Sequence, residues 1–262
     1  MPYQRGYTLV EILLALILML LVGGAMHGLL LSTQRLTRRQ VDQAELQAGL
    51  RAGAIVAASE FRELGTGDIL QPAPAALTYR AMRGVGFLCQ APTATALKLA
   101  RQGFTGHRDP QAGRDTAYVF IADPEPNGTW LPLGIAGVAT TSSCPGSQGA
   151  GITLSIPGTT EVVALEPGTP VRLSETMELR LYQSEGKSWL GARSVSAGEP
   201  IQPVVGPLTD GNGFALEYLA ASGMPAGNPA SIQAIRVTLR ASVNGIAESL
   251  STVASLRNAL RP

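Results

Sequence analysis

Histidine, cysteine and charged residues are scarce in this sequence of 262 residues, and each shortage argues against a class of site. Two histidines and two cysteines, far apart in the chain, do not form a cluster with the spacing of a zinc site. Charged residues make up 15% of the chain and the net charge is +1, so no overall field favours a polyanionic partner. We therefore expect no metal and no cofactor.

The motifs of common enzymes are also missing. His107 is the one histidine outside the apolar N-terminal segment, so a Ser-His-Asp triad would have to use it. The Gly-x-Ser-x-Gly motif that carries the nucleophilic serine of many hydrolases is absent from the sequence. Gly84-Val85-Gly86 and Gly211-Asn212-Gly213 lack the third glycine of a dinucleotide-binding motif. These absences predict that the protein is not an enzyme and that His107 lies on a solvated turn.

What the sequence does have is a long apolar run near its N-terminus. The 20 residues 12–31 include one strongly polar residue, His27, and are long enough to cross a hydrocarbon core of about 30 Å. A secretory signal peptide has a shorter apolar run followed by an Ala-x-Ala cleavage site, which the residues after His27 do not offer. We therefore expect a retained membrane-spanning helix.

The helical pattern continues beyond the apolar run. Gly65 supplies a residue typical of a helix C-terminus, so the pattern predicts one helix from about Thr8 to Leu64. Its second half should pack against a globular domain, because apolar residues recur there at steps of three and four along one stripe. That stripe consists of Leu46, Leu50, Ala54, Ala57, Phe61 and Leu64.

Glu11 is unusual because it opens the apolar run with no basic residue within reach on its own helix. An ionised carboxylate at membrane depth costs about 3 kcal/mol, so its presence there indicates a function. The alternative is an interfacial residue near the helix start, where a negative charge suits the N-terminal end of a helix. A partner would be a cation at the same depth, and cleavage after Gly6 would supply one, the amine of Tyr7 in a neighbouring copy.

Residues Gly6-Tyr7-Thr8-Leu9-Val10-Glu11, behind a short leader with Arg5, resemble the class III signal of type IV pilins and type II secretion pseudopilins. The resemblance implies that a prepilin peptidase cuts between Gly6 and Tyr7 and methylates the new N-terminus. Glu11 would then neutralise the methylated amine of an adjacent subunit in a filament core. The implied partners are that peptidase, an inner-membrane assembly platform, and other major and minor pilins or pseudopilins.

The resemblance also implies an α+β, pilin-like fold, in which the long helix packs on an antiparallel β-sheet domain. We expect a leader at 1–6, a membrane-spanning and filament-core half of the helix at 7–31, an amphipathic half at 32–64 and a β-rich domain at 65–262. The precursor would lie in the bacterial inner membrane. The mature chain would join a cell-surface or periplasmic filament, with its globular domain outside the cytoplasm.

The C-terminal residues 234–258 resemble the C-terminal ends of minor pilins of the PilW type and of minor pseudopilins of the J type. The first class implies a structural subunit that primes or caps a pilus used in twitching, adhesion or DNA uptake. The second implies a minor pseudopilin of a type II secretion system. A further alternative is a membrane-anchored module that binds DNA or a surface while the helix only tethers it.

Ten short segments downstream of Thr66 have strand-like patterns separated by turn residues. Ser184-Glu185-Gly186 predicts a tight hairpin between two of them, whereas Pro72-Ala73-Pro74 and Ser196–Pro207 predict surface loops. The predicted strands are Leu77–Arg80, Ala96–Leu99, Ala117–Ala122, Ile152–Ile156, Val162–Leu165, Met177–Gln183, Trp189–Val195, Phe214–Leu219, Ile232–Ala241 and Ser249–Ser255.

Cys89 and Cys144 are, from the sequence alone, either a disulfide or two unrelated thiols. The resemblance favours the disulfide, because it implies that this region lies outside the reducing cytoplasm.

Two sets of residues are candidates for ligand binding. Asp123, Glu125 and Asn127 alternate like the first half of a calcium loop, but Gly134 stands where that loop needs a glutamate, which favours a plain connecting loop. Six basic residues would contact the phosphates of DNA if their side chains share a face, and are otherwise solvated surface. These are Arg80, Arg83, Lys98, Arg101, Arg108 and Arg114.

Overall fold

A computed structural model describes residues 8–122, 128–146 and 149–257. Its one long helix, α1, runs from Leu9 to Arg62, within two residues of the predicted bounds at both ends. The predicted apolar stripe is confirmed. Leu50, Ala54, Ala57 and Phe61 are buried, Leu64 is buried just beyond the helix, and Leu46 is half-buried.

The β-rich part contains fourteen strands over the described residues. Several of the predicted strands are longer in the structure, because pairing with neighbours extends them past the apolar pattern. The strands are β1 Ile69–Ala73, β2 Ala76–Phe87, β3 Ala96–Ala100, β4 Thr105–Gly106, β5 Asp115–Ile121, β6 Thr129–Gly134, β7 Gly137–Ser143, β8 Ala150–Ser155, β9 Pro170–Ser184, β10 Lys187–Ser194, β11 Gln202–Leu208, β12 Phe214–Leu219, β13 Ala234–Val243 and β14 Ile246–Ser255.

These strands form three antiparallel sheets. The largest has the order β1-β2-β9-β10-β11, with β4 on β2 and with β5 between β9 and β6. Strand β9 organises it, because one edge pairs with β2 while the other pairs first with β5 and then with β10. The two smaller sheets have the orders β12-β13-β14 and β3-β8-β7. The α+β class with an antiparallel β-domain is therefore confirmed.

The chain divides into two compact units, and the boundary falls inside α1. The first unit includes α1 up to Ala48 together with Ser242–Glu248. Within it, the side-chain amide of Asn244 donates to Asp42 at 2.9 Å. The second unit contains Gly49–Ala241 and the rest of the C-terminal region, so the last part of α1 belongs with the sheets.

In the second unit, α1 packs closely on the strands. The ring of Phe61 is fully buried and meets Tyr79 of β2 edge to face, with ring centroids 5.8 Å apart. Gly53 lies against Leu239 and Val205, where even a methyl group would come within about 3.0 Å of both side chains. A separate apolar cluster fills the space between the large sheet and the β3-β8-β7 sheet, and includes Leu97, Leu99, Ile152, Leu154, Val171 and Leu173.

Three local predictions are wrong. Val162–Leu165 is a turn, in which Val162 is buried without strand pairing. The predicted loop at Pro72-Ala73-Pro74 overlaps β1, and that at Ser196–Pro207 overlaps β11. Both strands lie at an edge of the large sheet, where proline is tolerated because one side of the strand needs no hydrogen-bond donor.

The predicted hairpin between β9 and β10 is confirmed. Ser184 pairs with Lys187, and Glu185 and Gly186 form the two-residue turn with φ angles of 51° and 71°. Such a turn needs two residues in the left-handed region, which glycine adopts at little cost.

Candidate assembly site

The start of α1 is a capped helix terminus that contains Glu11. The carbonyl of Thr8 accepts hydrogen bonds from the backbone N–H groups of Glu11 at 3.0 Å and Ile12 at 3.3 Å. The Thr8 hydroxyl oxygen lies 3.4 Å from the same Glu11 nitrogen. Thr-x-x-Glu is the spacing of a helix capping box. This spacing could have predicted the helix start from the sequence. It also places a carboxylate in the first turn, where the helix dipole favours a negative charge.

The first part of α1 has an exposed apolar surface. Every residue from Thr8 to Val41 is exposed, including the leucines, isoleucines and methionines of the apolar run. Over the described residues α1 is the one helix long and apolar enough to cross a membrane. Contiguous apolar surface of this extent marks contact with a membrane or with other proteins.

Glu11 borders a shallow groove on this surface, together with Ile12, Ala15, Leu16 and Met19. No basic side chain in the part of the chain that the structure describes forms an ion pair with Glu11. Gly6 and Tyr7, the predicted processing site, lie outside the described residues.

Comparison with known proteins identifies this segment. Residues 1–26 match the family model described as the prokaryotic N-terminal methylation motif. This match supports a relationship of the chain to type IV pilins and pseudopilins. The motif implies processing by a prepilin peptidase and assembly with other pilins, and with the apolar helix it supports membrane anchoring of the precursor. It points to a structural subunit.

The match covers the N-terminal tenth of the chain and does not extend into the β-domain. No curated protein matches the chain, and no solved structure does either.

Three of the six basic residues predicted to contact DNA converge on a buried carboxylate. Glu175 of β9 accepts hydrogen bonds from Arg83 at 2.8 Å, Arg108 at 3.2 Å and Arg114 at 2.5 Å. Arg108 also donates two hydrogen bonds of 2.6 Å to the buried carboxylate of Asp115. We call these five residues the Glu175 cluster. Sequence reasoning missed it because its members are up to 92 positions apart.

The environment of Glu175 keeps its carboxylate ionised. Burial alone would raise the pKa of this group, but hydrogen bonds from Ser194, Arg83 and Arg114 and the charge of Arg83 outweigh burial and lower the pKa to about 2. The pKa of Arg83 and that of Arg108 are both raised by their carboxylate partners, in spite of burial. Glu175, Arg83 and Arg108 are therefore all charged at neutral pH.

The other three predicted basic residues also have acceptors inside the chain. Arg80 donates to the carbonyl of Gly67 at 2.8 Å, Lys98 to that of Ser143 at 3.2 Å, and Arg101 to the carboxylate of Asp109 at 2.6 Å. The six side chains are thus mostly engaged within the fold. DNA contact by these residues stays a prediction.

The remaining candidate residues are the two cysteines, His107 and the three residues of the calcium-loop candidate. Cys89 and Cys144 form a disulfide with Cα atoms 5.7 Å apart, which ties the chain beyond β2 to the chain beyond β7. His107 lies on an exposed bend, 3.6 Å from the Glu63 carboxylate. The calcium-loop candidates Asp123, Glu125 and Asn127 lie outside the described residues.

Proposed function

We propose that this chain is a minor type IV pilin, a filament subunit that primes or caps pilus assembly. The observation that carries the proposal is Glu11 in the first turn of a helix whose apolar first part is exposed, within a match to the prepilin methylation motif. The same helix continues to Arg62 and packs there on the β-domain. One continuous element thus joins an assembly segment to a globular domain.

In the proposed mechanism, a prepilin peptidase cuts between Gly6 and Tyr7 and methylates the new amine. That cation then pairs with Glu11 of a neighbouring subunit. A carboxylate left unpaired in an apolar core would cost about 3 kcal/mol or more, so the pair favours the aligned arrangement of adjacent helices over others. The apolar surface around Glu11 would pack against the same neighbour.

One feature supports a position outside the cytoplasm for the β-domain, and another supports the role of a minor subunit. The disulfide between Cys89 and Cys144 suits an oxidising compartment. The length of the chain, 262 residues, suits a minor subunit because major pilins are usually shorter. In this proposal the precursor is anchored in the inner membrane, and an assembly platform there adds the processed chain to a cell-surface filament.

Replacing Glu11 by alanine tests the proposal. We expect the Glu11→Ala protein to reach the membrane at the wild-type amount but to fall at least about tenfold in sheared filaments, because more than 1.4 kcal/mol of pairing energy is lost. The matched control is Glu45→Ala, which removes an exposed carboxylate from the same helix and should leave incorporation unchanged. Wild-type incorporation of Glu11→Ala would contradict the proposal.

The same variant separates the two alternative functions. A minor pseudopilin of a type II secretion system depends on the same pairing, so Glu11→Ala would impair secretion while surface pili remain normal. A membrane-anchored module that binds DNA or a surface would keep its binding in Glu11→Ala, since the helix would serve only as a tether.

A further inference from the structure

One face of the large sheet is open where four strands lie side by side in the order β2, β9, β5, β6. Arg172 of β9 is directly opposite Tyr118 of β5, which is opposite Pro132 of β6. The next residues along, Leu173 and Ala117, are buried in the apolar cluster behind the sheet. Because side chains alternate along a strand, Arg172 and Tyr118 belong to the opposite, open face.

Arginine and aromatic side chains interleave on this open face. The guanidinium carbon of Arg80 lies 5.4 Å from the ring centroid of Tyr118, and that of Arg172 lies 4.9 Å from the ring of Trp130. Trp130 also meets Phe120 edge to face at 5.3 Å. Stacking on a ring fixes the plane of each guanidinium and directs its N–H groups sideways, in a pre-organised position for an acceptor.

A cleft of about 370 Å³ lies over these residues, bounded on one side by the chain that follows α1. Its lining includes Glu63, Arg80, Tyr118, Trp130, Arg172 and Ser174. We call it the Arg80–Arg172 cleft. Its volume falls in the range of small-ligand sites and suits a short segment of a polymer. Trp130 keeps 37% of its surface exposed, so its ring is accessible from solvent.

Two arginines, Arg80 and Arg172, and two carboxylates, Glu63 and Asp68, line the cleft. Neither Arg80 nor Arg172 pairs with a carboxylate over the described residues, in contrast to the arginines of the Glu175 cluster. Asp68 accepts the backbone N–H of Gly65 at 2.9 Å, and Glu63 lies 3.6 Å from His107. The cleft therefore presents two guanidinium groups that no carboxylate of the described residues binds directly.

We propose that the Arg80–Arg172 cleft binds an acidic oligosaccharide built from uronic acid units. Each guanidinium can hold a sugar carboxylate through two parallel hydrogen bonds. The apolar faces of the sugar rings would pack on Met82 and Pro132, and their hydroxyl groups would bond to Ser174 and Glu63. The proposal goes beyond assembly, since it requires neither a pilus nor a secretion system.

A nucleic acid fits these observations less well. Single-stranded nucleic acids bind by stacking bases on free aromatic faces. Here a guanidinium already covers one face of Tyr118 and one of Trp130. Carboxylates spaced along a sugar chain use the guanidinium edges instead and leave these stacks intact.

Calorimetric titration of the purified full-length chain in neutral detergent micelles, at about 0.15 M salt, tests the proposal. The probe is hexagalacturonate, and the comparison ligands are maltohexaose, a neutral hexasaccharide, and a thymidine hexanucleotide. We expect measurable binding of hexagalacturonate and at least tenfold weaker binding of both comparison ligands. Equal or tighter binding of the hexanucleotide would overturn the choice of ligand, and binding of none of the three would overturn the site.

Variants then locate the binding. The double variant Arg80→Gln/Arg172→Gln should bind hexagalacturonate at least about tenfold more weakly, because two charge-assisted contacts are lost. Arg236→Gln is the matched control, since it removes an exposed arginine from β13 and should change affinity less than twofold. If the glutamine variant does not fold, Arg80→Lys/Arg172→Lys keeps both charges but loses the planar stacking, and weaker binding is again expected. Unchanged affinity in a folded double variant would contradict the proposal.

Because this titration uses unassembled protein, its outcome is independent of the Glu11 experiment. Loss of filament incorporation in Glu11→Ala together with absent sugar binding would sustain the pilin function and reject the cleft.

Discussion

The side chain of Glu175 is 1% exposed and accepts hydrogen bonds from three arginines of different segments. Removing one partner from a buried ionic group is costly, because the remaining charges stay buried without compensation. Replacing Glu175 by glutamine removes the one carboxylate that the three arginines share, although each keeps a second one: Glu60 for Arg83, Asp115 for Arg108 and Glu199 for Arg114. We expect the free energy of unfolding at pH 7 to fall by about 3 kcal/mol.

Chemical unfolding of the full chain in detergent, followed by near-ultraviolet circular dichroism, measures this loss. Glu217→Gln is the matched control, since Glu217 forms an exposed pair with Arg236 on another sheet. Exposed pairs contribute about 0–1 kcal/mol, so the control should unfold almost as the wild type does. Similar losses in the two variants would show that the Glu175 cluster has no special weight.

The pH dependence of stability provides a second readout of the same residue. The pKa of Glu175 is about 2 in the folded chain, below its ordinary value of 4.5. Its contribution to stability is therefore complete above about pH 4.5 and is lost as the pH falls toward 2. In Glu175→Gln this part of the acid destabilisation should disappear, so the stabilities of the variant and the wild type should converge toward pH 2.

Among the elements, the end of α1 depends on a few buried side chains for its packing on the sheets. Phe61 is fully buried against Tyr79, so Phe61→Ala would leave a cavity and cost about 3–5 kcal/mol. Val56→Ala is the control, because Val56 is exposed on the same helix. Hydrogen exchange of the full chain in detergent should show lost protection around Phe61 in the first variant alone. Equal protection in both variants would contradict this view of the helix.

How far the elements could be predicted depends on the kind of signal each one has. The stripe of α1 and the turn at Glu185-Gly186 were predictable, because helical periodicity and two-residue turns are local properties of the sequence. The edge strands β1 and β11 were not, because their prolines suggest loops and only pairing with a neighbouring strand makes them extended. Val162 was misassigned because its apolar character reflects burial in a turn.

Of the candidate sites, the one at Glu11 could be predicted from the sequence, whereas the two in the β-domain could not. Glu11 was found because a carboxylate opening an apolar run conflicts with its surroundings within a few residues. The Glu175 cluster and the Arg80–Arg172 cleft were not found as sites, since both depend on β9 pairing with β2 and β5, which lie far from it in the chain. The prediction that Arg83, Arg108 and Arg114 contact DNA rests on their charge alone. The sequence does not show which carboxylates these arginines pair with in the fold.

For the whole molecule, the disulfide between Cys89 and Cys144 is a long-range constraint, since its cysteines are 55 positions apart. Closing a loop of this length restricts the unfolded chain, and the loop-entropy relation gives about 4 kcal/mol. The variant Cys89→Ser/Cys144→Ser should therefore unfold at markedly lower denaturant concentration. Treating the wild type with a reductant should lower its midpoint in the same way, while the double variant should not respond. A reductant effect on the variant would mean that the disulfide is not its source.

The central claim, that the chain is processed and enters a filament, is tested most directly by mass spectrometry of sheared surface filaments. Trypsin should release an N-terminal peptide that begins at Tyr7 and ends at Arg35, the first lysine or arginine after the cleavage site. The account predicts that this peptide is present and carries a methyl group on the amine of Tyr7. A chain that retains Met1 and stays in the membrane fraction would contradict it.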